Sequence, residues 1–163
     1  MRVKKHFNPR VFWITVYFSC FVAFLIIGFA PVEASSYRIT AKLEIPSISL
    51  VSDVARLDLN NRELNVPTDI VGSYNSEQNK ILLVGHSSSI FDDLDNVWIG
   101  DEIIYNQEIY HVTNYRIYKK ENVDMNALLS SESRKTLILM TCIGTSLPNN
   151  DATHRLVITA EAQ

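Results

Sequence analysis

The sequence predicts an all-β fold, a barrel or a sandwich, for most of the chain. Short segments rich in Val, Ile, Thr and Tyr recur along it, separated by clusters of Pro, Gly, Asn and Asp, which is typical of short strands joined by turns. No long amphipathic helix interrupts this pattern. With 47% hydrophobic and 20% charged residues among 163, the composition is that of a globular protein and excludes a disordered or collagen-like chain.

The first element is an apolar run of nineteen residues without a charge, Phe12 to Ala30. A helix of that length is roughly 29 Å long, about the thickness of the hydrocarbon core of a bilayer. We therefore expect a transmembrane signal anchor at 12–30. A cleaved signal peptide is the alternative, with Val32–Ala34 as a tolerable cleavage site, but the apolar core of a signal peptide usually has about 7 to 15 residues.

The charges around this run predict its orientation. Residues 1–11 contain four basic residues and no acidic one, so the positive-inside rule predicts a cytoplasmic basic tail there and export of everything after the span. Residues 31–37 would form a short linker. The remaining residues, 38–163, have an ordinary size for one extracytoplasmic domain, anchored to the cell membrane by a single pass.

The exported part is acidic. All 18 acidic residues lie after residue 32 and 4 of the 15 basic residues lie before it, which leaves 11 basic residues against 18 acidic ones and a net charge of −7. No stripe of Lys and Arg interleaved with aromatic residues is present. Nucleic-acid binding is therefore excluded, because it requires a surplus of positive charge.

Seven strands and two short helical turns are predicted in the exported domain. The strands are Arg38–Ile45, Val51–Leu57, Lys80–Val84, Glu102–Tyr105, Ile109–Lys119, Lys135–Thr141 and His154–Glu161. Residues 105–108 predict a tight hairpin turn. Helical character is confined to 91–97 and to 124–129, where Asp124 is suited to be the N-cap.

The two cysteines are too few for a disulfide framework and lie in different regions. Cys20 is within the predicted span and Cys142 is in the exported domain, so the two cannot pair. A lone thiol outside the cytoplasm is reactive, or pairs with another molecule, or is buried and inert. Because Cys142 follows the strand-like run 136–141 and precedes Gly144, we expect it at a strand end, where scaffolds present reactive groups.

Two further residues with suitable chemistry lie at predicted strand boundaries. His86 follows an apolar strand after Gly85, and Arg155 opens the last strand. A free thiol is mostly protonated near pH 7, and a neighbouring His supplies a base or a stabilising imidazolium. A fixed cation stabilises the oxyanion formed by attack on a carbonyl. Cys, His and Arg would form a complete set for acyl transfer, although sequence separation does not show that they meet.

Five blocks of sequence in the exported domain carry a family resemblance. They are Leu43–Ile48 (LEIPSI), Val84–Ser88 (VGHSS), Ile90–Ile103, Leu137–Cys142 (LILMTC) and His154–Ile158 (HRLVI). In this order they resemble the sortases, the membrane-anchored cysteine transpeptidases of Gram-positive-type cell surfaces. The corresponding family features are an I-P-x-I barrel entry, a G-H strand end, an F-x-x-L stretch leading to G-D-x-I, an L-x-T-C signature and a strand beginning with Arg.

The resemblance implies a closed sortase-like β-barrel of about seven or eight strands with one or two short helices. It implies that Cys142 attacks an L-P-x-T-G-like sorting signal of a surface protein. His86 would pair with the thiolate and protonate the leaving amine, Arg155 would hold the substrate or the oxyanion, and Thr141 would line the cleft as a substrate-binding neighbour. An amine on a peptidoglycan precursor or a pilin would resolve the thioester, with no metal or organic cofactor.

Some features leave the subclass open. Met140 stands where many members of the family have Thr or Ser, and the polar loop Ser146–Asp151 borders the cleft in the family. A second apolar span is not found after Ala160, which argues against the pilus-assembling subclass with two membrane segments. Four acidic residues lack the regular spacing of calcium ligands and are expected to be solvated. They are Asp92, Asp93, Asp95 and Glu102.

Two other functions compete with this interpretation. The first is a non-catalytic, membrane-tethered β-barrel module that binds partners in the cell envelope, with Cys142 buried and His86 structural. The second is a cysteine enzyme of the L,D-transpeptidase type. Its S-x-G-C-x-R arrangement is absent here, because Arg155 lies thirteen residues after Cys142.

Overall fold

The computed structural model describes residues 37–60, 63–64, 66–75, 79–130, 133–146 and 152–163. The predicted tail, transmembrane span and cleavage site, nearly all of the linker, Cys20 and residues 147–151 of the polar loop lie outside the described residues. Within the described part of the chain, no helix has the length and apolar character that a membrane crossing requires.

Ten strands are present in the described residues. They are β1 (Ile39–Ile45), β2 (Leu50–Arg56), β3 (Leu59–Asn60), β4 (Glu63–Leu64), β5 (Val71–Asn75), β6 (Lys80–Val84), β7 (Glu102–Tyr105), β8 (Glu108–Lys119), β9 (Thr136–Ser146) and β10 (Ala152–Ala162). Eight of them close a barrel in the order β1-β2-β5-β6-β9-β10-β8-β7, while β3 and β4 form a separate two-stranded sheet. The predicted all-β barrel of seven or eight strands is confirmed.

Two of the four short helical elements lie at the predicted positions, 91–97 and 124–129, and two 3-10 turns lie outside them. The α-helix α1 spans Met125–Leu129, and one of three 3-10 turns spans Leu94–Asn96; the others are Pro46–Ile48 and Lys120–Asn122. The side chain of Asp124 accepts hydrogen bonds from the backbone N–H groups of Asn126 at 2.9 Å and Ala127 at 3.2 Å. Asp124 is therefore the N-cap, as predicted.

Alternate residues of β9 and β10 face the two sides of the barrel wall. Leu139 and Leu156 are fully buried in the interior core. Ile138 and Val157 belong instead to an outer apolar cluster, against which the helix α1 packs Met125, Leu128 and Leu129. Since both faces of these strands are covered, they read in the sequence as continuous apolar runs.

Three features of the strands differ from the sequence predictions. The two-residue strands β3 and β4 were not predicted. The strand β5 was not predicted either, because Gly72 and Ser73 weaken its strand pattern. A Cβ at Gly72 would overlap the side chain of Leu57, so glycine permits this close packing. The strand β9 does not end at the thiol but continues past Cys142 to Ser146, because β10 pairs with this extension. The hairpin turn at 105–108 is confirmed.

Candidate active site

The pairing of three neighbouring strands brings the backbones of the three candidate residues together. Strands β6 and β9 run parallel, with Val84 opposite Met140, and His86 and Cys142 each lie two residues farther along. Strands β9 and β10 run antiparallel, with Cys142 directly opposite Arg155. The fold therefore places His86, Cys142 and Arg155 side by side at one edge of the barrel.

The outer face of the barrel carries the thiol and the guanidinium. Thr141 is 3% exposed and Leu156 is fully buried, so these residues project inward, and their neighbours Cys142 and Arg155 project outward. Cys142 is a partly exposed free thiol. Tyr118 of β8 lies directly opposite Arg155 on its other side. Tyr118, Arg155 and Cys142 thus form a row across three strands, which we call the outer row.

A pair of hydrogen bonds extends the contact between β6 and β9 up to the candidate residues. The Thr141 hydroxyl donates to the carbonyl of Gly85 at 2.8 Å, and the Gly85 N–H donates to the carbonyl of Met140 at 3.4 Å. Thr141 directly precedes Cys142, and Gly85 directly precedes His86. These bonds therefore fix the backbone of the thiol relative to that of the imidazole. Thr141, expected to line the cleft, is instead buried in this contact.

Gly85 is also required by close packing. A Cβ at this position would lie 2.7 Å from Ile90 Cγ2 and 2.7 Å from Phe91 Cδ2, distances that real side chains do not adopt. Phe91 is buried in the barrel core. Gly85 thus lets the chain leave β6 in close contact with the core residue Phe91, and the next residue, His86, is exposed at the surface.

The imidazole of His86 is exposed and is oriented by a backbone carbonyl. Its Nε2 lies 3.2 Å from the carbonyl oxygen of Val66. Because a carbonyl oxygen only accepts, Nε2 carries a proton in this contact, which leaves Nδ1 as the nitrogen that exchanges protons. Among the described residues, the ring and the sulfur of Cys142 are not hydrogen-bonded to each other.

The guanidinium of Arg155 is held by carbonyls of its own strand. Its Nη1 donates to the carbonyl of Ala152 at 2.9 Å and to that of His154 at 3.0 Å. Arginine remains protonated at any physiological pH. The outer row therefore contains a fixed positive charge opposite Cys142, which suits stabilisation of a developing oxyanion.

Sequence reasoning missed three contributors to this site: Tyr118, the Val66 carbonyl and the Gly85 carbonyl. The only signal in the sequence for Gly85 was its place before His86. Tyr118 is 37 residues from Arg155 in the chain, and its place in the outer row follows from strand register alone. A backbone carbonyl such as that of Val66 leaves no signature in a side-chain pattern.

A crevice of about 670 Å³ lies at the opposite end of the barrel from Cys142, lined in part by Glu108, Arg134, Lys135 and Glu161. Its charges are paired: Lys135 with Glu108 at 2.7 Å and Arg134 with Glu161 at 3.1 Å. The Lys135 hydrogen bond lowers the pKa of Glu108. The described residues include no cluster of three His, Cys, Asp or Glu side chains suited to a metal ion.

Comparison with known proteins identifies relatives of this barrel. A sequence profile described as the Sortase domain matches residues 43–163. A lid mutant of sortase A from Corynebacterium diphtheriae is similar in structure, with a TM-score of 0.60 and 20% identity over 81% of this chain and 74% of that one. Sortase A from Listeria monocytogenes has a TM-score of 0.60 and 18% identity over 77% and 87% of the two chains.

Sortase C-1 from Actinomyces oris is similar too, with a TM-score of 0.58 and 23% identity over 77% of this chain and 72% of that one. At such identities these likenesses show the shared fold. No curated protein matches the chain.

Proposed function

Since the chain belongs to the sortase family, we propose that it is a cysteine transpeptidase of the cell surface. It cleaves an L-P-x-T-G-like sorting signal of a surface protein and transfers that protein to an amine of a peptidoglycan precursor or a pilin. The observation that carries the proposal is the strand register, which sets the backbone of Cys142 opposite that of Arg155 and brings the backbone of His86 close to both. Residues 12–30 anchor the enzyme in the cell membrane, with the catalytic domain outside.

The first half of the reaction forms a thioester. The sulfur of Cys142, as a thiolate, attacks a backbone carbonyl carbon of the signal, and the carbonyl oxygen becomes an oxyanion. Arg155 stabilises this oxyanion or holds the substrate beside it. When the C–N bond breaks, the His86 imidazolium gives its Nδ1 proton to the leaving amine. Nε2 keeps its proton and donates it in a hydrogen bond to the Val66 carbonyl.

The second half reverses these roles. The acceptor amine attacks the thioester carbonyl, neutral His86 takes the proton of that amine, and the sulfur leaves as a thiolate. An amide bond replaces the thioester and the resting pair is restored, so the reaction needs no oxidant or reductant. Thr141 contributes by fixing the backbones that carry the thiol and the imidazole.

Met140 is the apolar side chain beside the outer row that is partly exposed. It precedes Cys142 by two residues on the same face of β9, whereas Val84 and Val157, against which it packs, are buried. An apolar residue of the signal that covers the exposed part of Met140 removes apolar surface from water. We therefore propose that the apolar start of the signal contacts Met140 while its scissile bond lies at Cys142.

Cleavage and ligation of a fluorescent sorting-signal peptide test the proposal. The wild-type chain should cleave the peptide and join it to an added amine, and Cys142→Ala should abolish both. Cys20→Ala is a matched control, because it removes the other thiol of the chain and should retain full activity. Equal turnover by Cys142→Ala and wild type would refute the mechanism, and binding without turnover in wild type would instead support a non-catalytic module.

The membrane anchor requires a separate test. In cells whose wall has been removed but whose cell membrane is intact, an added protease should digest the domain at 38–163. A tag at residue 1 should remain protected. Protection of both ends would contradict the proposed topology.

A further inference from the structure

The turn that follows His86 contains a serine with a specific hydrogen bond. The hydroxyl of Ser89 donates to the carbonyl of Thr68 at 2.6 Å. His86 makes a similar bond, in which Nε2 lies 3.2 Å from the carbonyl oxygen of Val66. Two side chains of one turn thus bind two carbonyls of the segment 66–70, which we call the strap.

Ser89 is rigidly connected to His86 through the backbone. The N–H of Ser89 donates to the carbonyl of His86 at 3.2 Å, and the N–H of Phe91 donates to the same oxygen at 3.0 Å. Phe91 is 1% exposed in the interior core. The position of the Ser89 hydroxyl relative to the imidazole is therefore set by the turn and by its anchor in the core.

The strap is held at both ends by contacts of its own. The side chain of Val66 packs against the outer apolar cluster, and Pro67 is buried, with a backbone φ that its ring restricts. Beyond the strap, the N–H of Val71 donates to the hydroxyl of Ser52 at 3.3 Å. Thr68 lies between these contacts, and the Ser89 hydroxyl binds its carbonyl to the turn that follows His86.

We propose that Ser89 is a positioning residue for His86: its hydroxyl holds the strap so that the Val66 carbonyl accepts Nε2–H and leaves Nδ1 for proton exchange. This role rests on the proposed function, in which His86 is the acid and the base, and it adds a residue that positions His86. Loss of the hydroxyl releases Thr68 from the turn, while the Val66 side chain and Pro67 stay packed. The Val66 carbonyl then shifts only in part, and its contact with Nε2–H is weakened, so it selects one tautomer less strongly.

The sequence itself offers a matched control. The three consecutive serines Ser87, Ser88 and Ser89 follow His86, and Ser88 is exposed. Within the described residues, the Ser88 hydroxyl makes no hydrogen bond. Ser88→Ala therefore changes the same chemical group in the same turn without touching the strap, and Ser89→Thr retains the hydroxyl at the proposed position.

The first test measures the tautomer of His86 and needs no turnover. Nitrogen-15 NMR of the full chain in detergent, with labelled histidine, should show His86 mainly protonated at Nε2 at a pH where the ring is neutral. A hydrogen bond of ordinary net strength corresponds to roughly a two- to tenfold change in an equilibrium. Ser89→Ala should therefore raise the Nδ1–H to Nε2–H ratio by about that factor, while Ser88→Ala and Ser89→Thr match wild type.

The second test measures turnover of the sorting-signal peptide. Ser89→Ala should lower kcat by roughly two- to tenfold with KM unchanged, because the strap positions the imidazole and not the peptide. Unshifted resonances of His111 and His154 show that the variant is folded.

Two results would overturn the assignment. One is an unchanged His86 tautomer ratio in Ser89→Ala, and the other is an unchanged kcat despite a shifted ratio. A wild-type chain without any turnover would overturn the proposed function instead, while the NMR comparison would still report on the strap.

Discussion

The hydrogen bond between Thr141 and Gly85 predicts a specific loss in the variant Thr141→Val. Valine has nearly the same shape as threonine but no hydroxyl, so the bond of 2.8 Å to the Gly85 carbonyl disappears. Thr141 is 3% exposed and Gly85 is buried, so water does not replace the lost donor. The carbonyl is left without this partner at the point where β6 ends and His86 begins.

The size of the effect follows from the burial of both groups. A buried acceptor that loses its donor costs about 1–3 kcal/mol. For a domain of this size, 1 kcal/mol corresponds to a change of about 4 °C in Tm, so Thr141→Val should melt roughly 4–12 °C below wild type. The bond also fixes the backbone of His86 relative to that of Cys142. The kcat/KM for the sorting-signal peptide should therefore fall by roughly two- to tenfold at 25 °C, where the variant is still folded.

Thermal unfolding followed by circular dichroism, together with the peptide assay, tests both parts. The control is Thr136→Val, at the first residue of β9, where the Thr136 hydroxyl donates to the nearby Arg134 carbonyl at 3.2 Å. This variant should lose stability but keep its activity at 25 °C. A Tm of Thr141→Val within 1 °C of wild type, or an equal loss of activity in both variants, would refute the reasoning.

Three other predictions concern the packing around the barrel. Gly85→Ala places a Cβ 2.7 Å from side-chain carbons and should cost about 1–3 kcal/mol of unfolding free energy, measurable by urea denaturation; unaltered stability would contradict this packing. The Lys80 ammonium, on a residue 4% exposed, donates to the Leu128 carbonyl at 3.0 Å, so Lys80→Met should speed hydrogen exchange in α1 by roughly tenfold. If α1 exchanges as in wild type, this bond does not hold the helix. Lys135 lowers the pKa of Glu108 below its usual 4.5, so the pair contributes stability at neutral pH that is lost as pH falls through that lowered pKa. Both side chains are largely exposed, so the pair should contribute less than about 1 kcal/mol to the free energy of unfolding. In Lys135→Met, the Tm should fall less on acidification than in wild type. A Tm that depends on pH as in wild type would argue against the pair.

The sequence predicted the barrel well because its strands are strongly patterned. The bounds of Lys80–Val84 and Glu102–Tyr105 were obtained without error, since turn residues flank each apolar run. The extension of β9 past Cys142 was missed because Gly144 interrupts the pattern. Gly144 adopts a φ of 90°, which glycine tolerates, and pairing with β10 provides the hydrogen bonds that keep this segment in the sheet.

The identity of the candidate residues was predictable, but their arrangement was not. His86 and Cys142 stand at the ends of apolar runs, a signal that local sequence contains. Their proximity depends on the parallel pairing of β6 with β9, across 56 residues of chain between Gly85 and Thr141. The strap carbonyls that orient His86 belong to backbone groups, and no side-chain pattern specifies which carbonyl a ring will meet.

The most direct test of the central claim is the intact mass of the chain during reaction with a sorting-signal peptide in the absence of an acceptor amine. A thioester mechanism should give a new species heavier than the free chain by the mass of the acyl fragment, attached at Cys142 and released by hydroxylamine. This species should be absent in Cys142→Ala and present in Cys20→Ala. Cleavage of the peptide by a chain that never acquires this mass, or an adduct that persists in Cys142→Ala, would rule out Cys142 as the nucleophile.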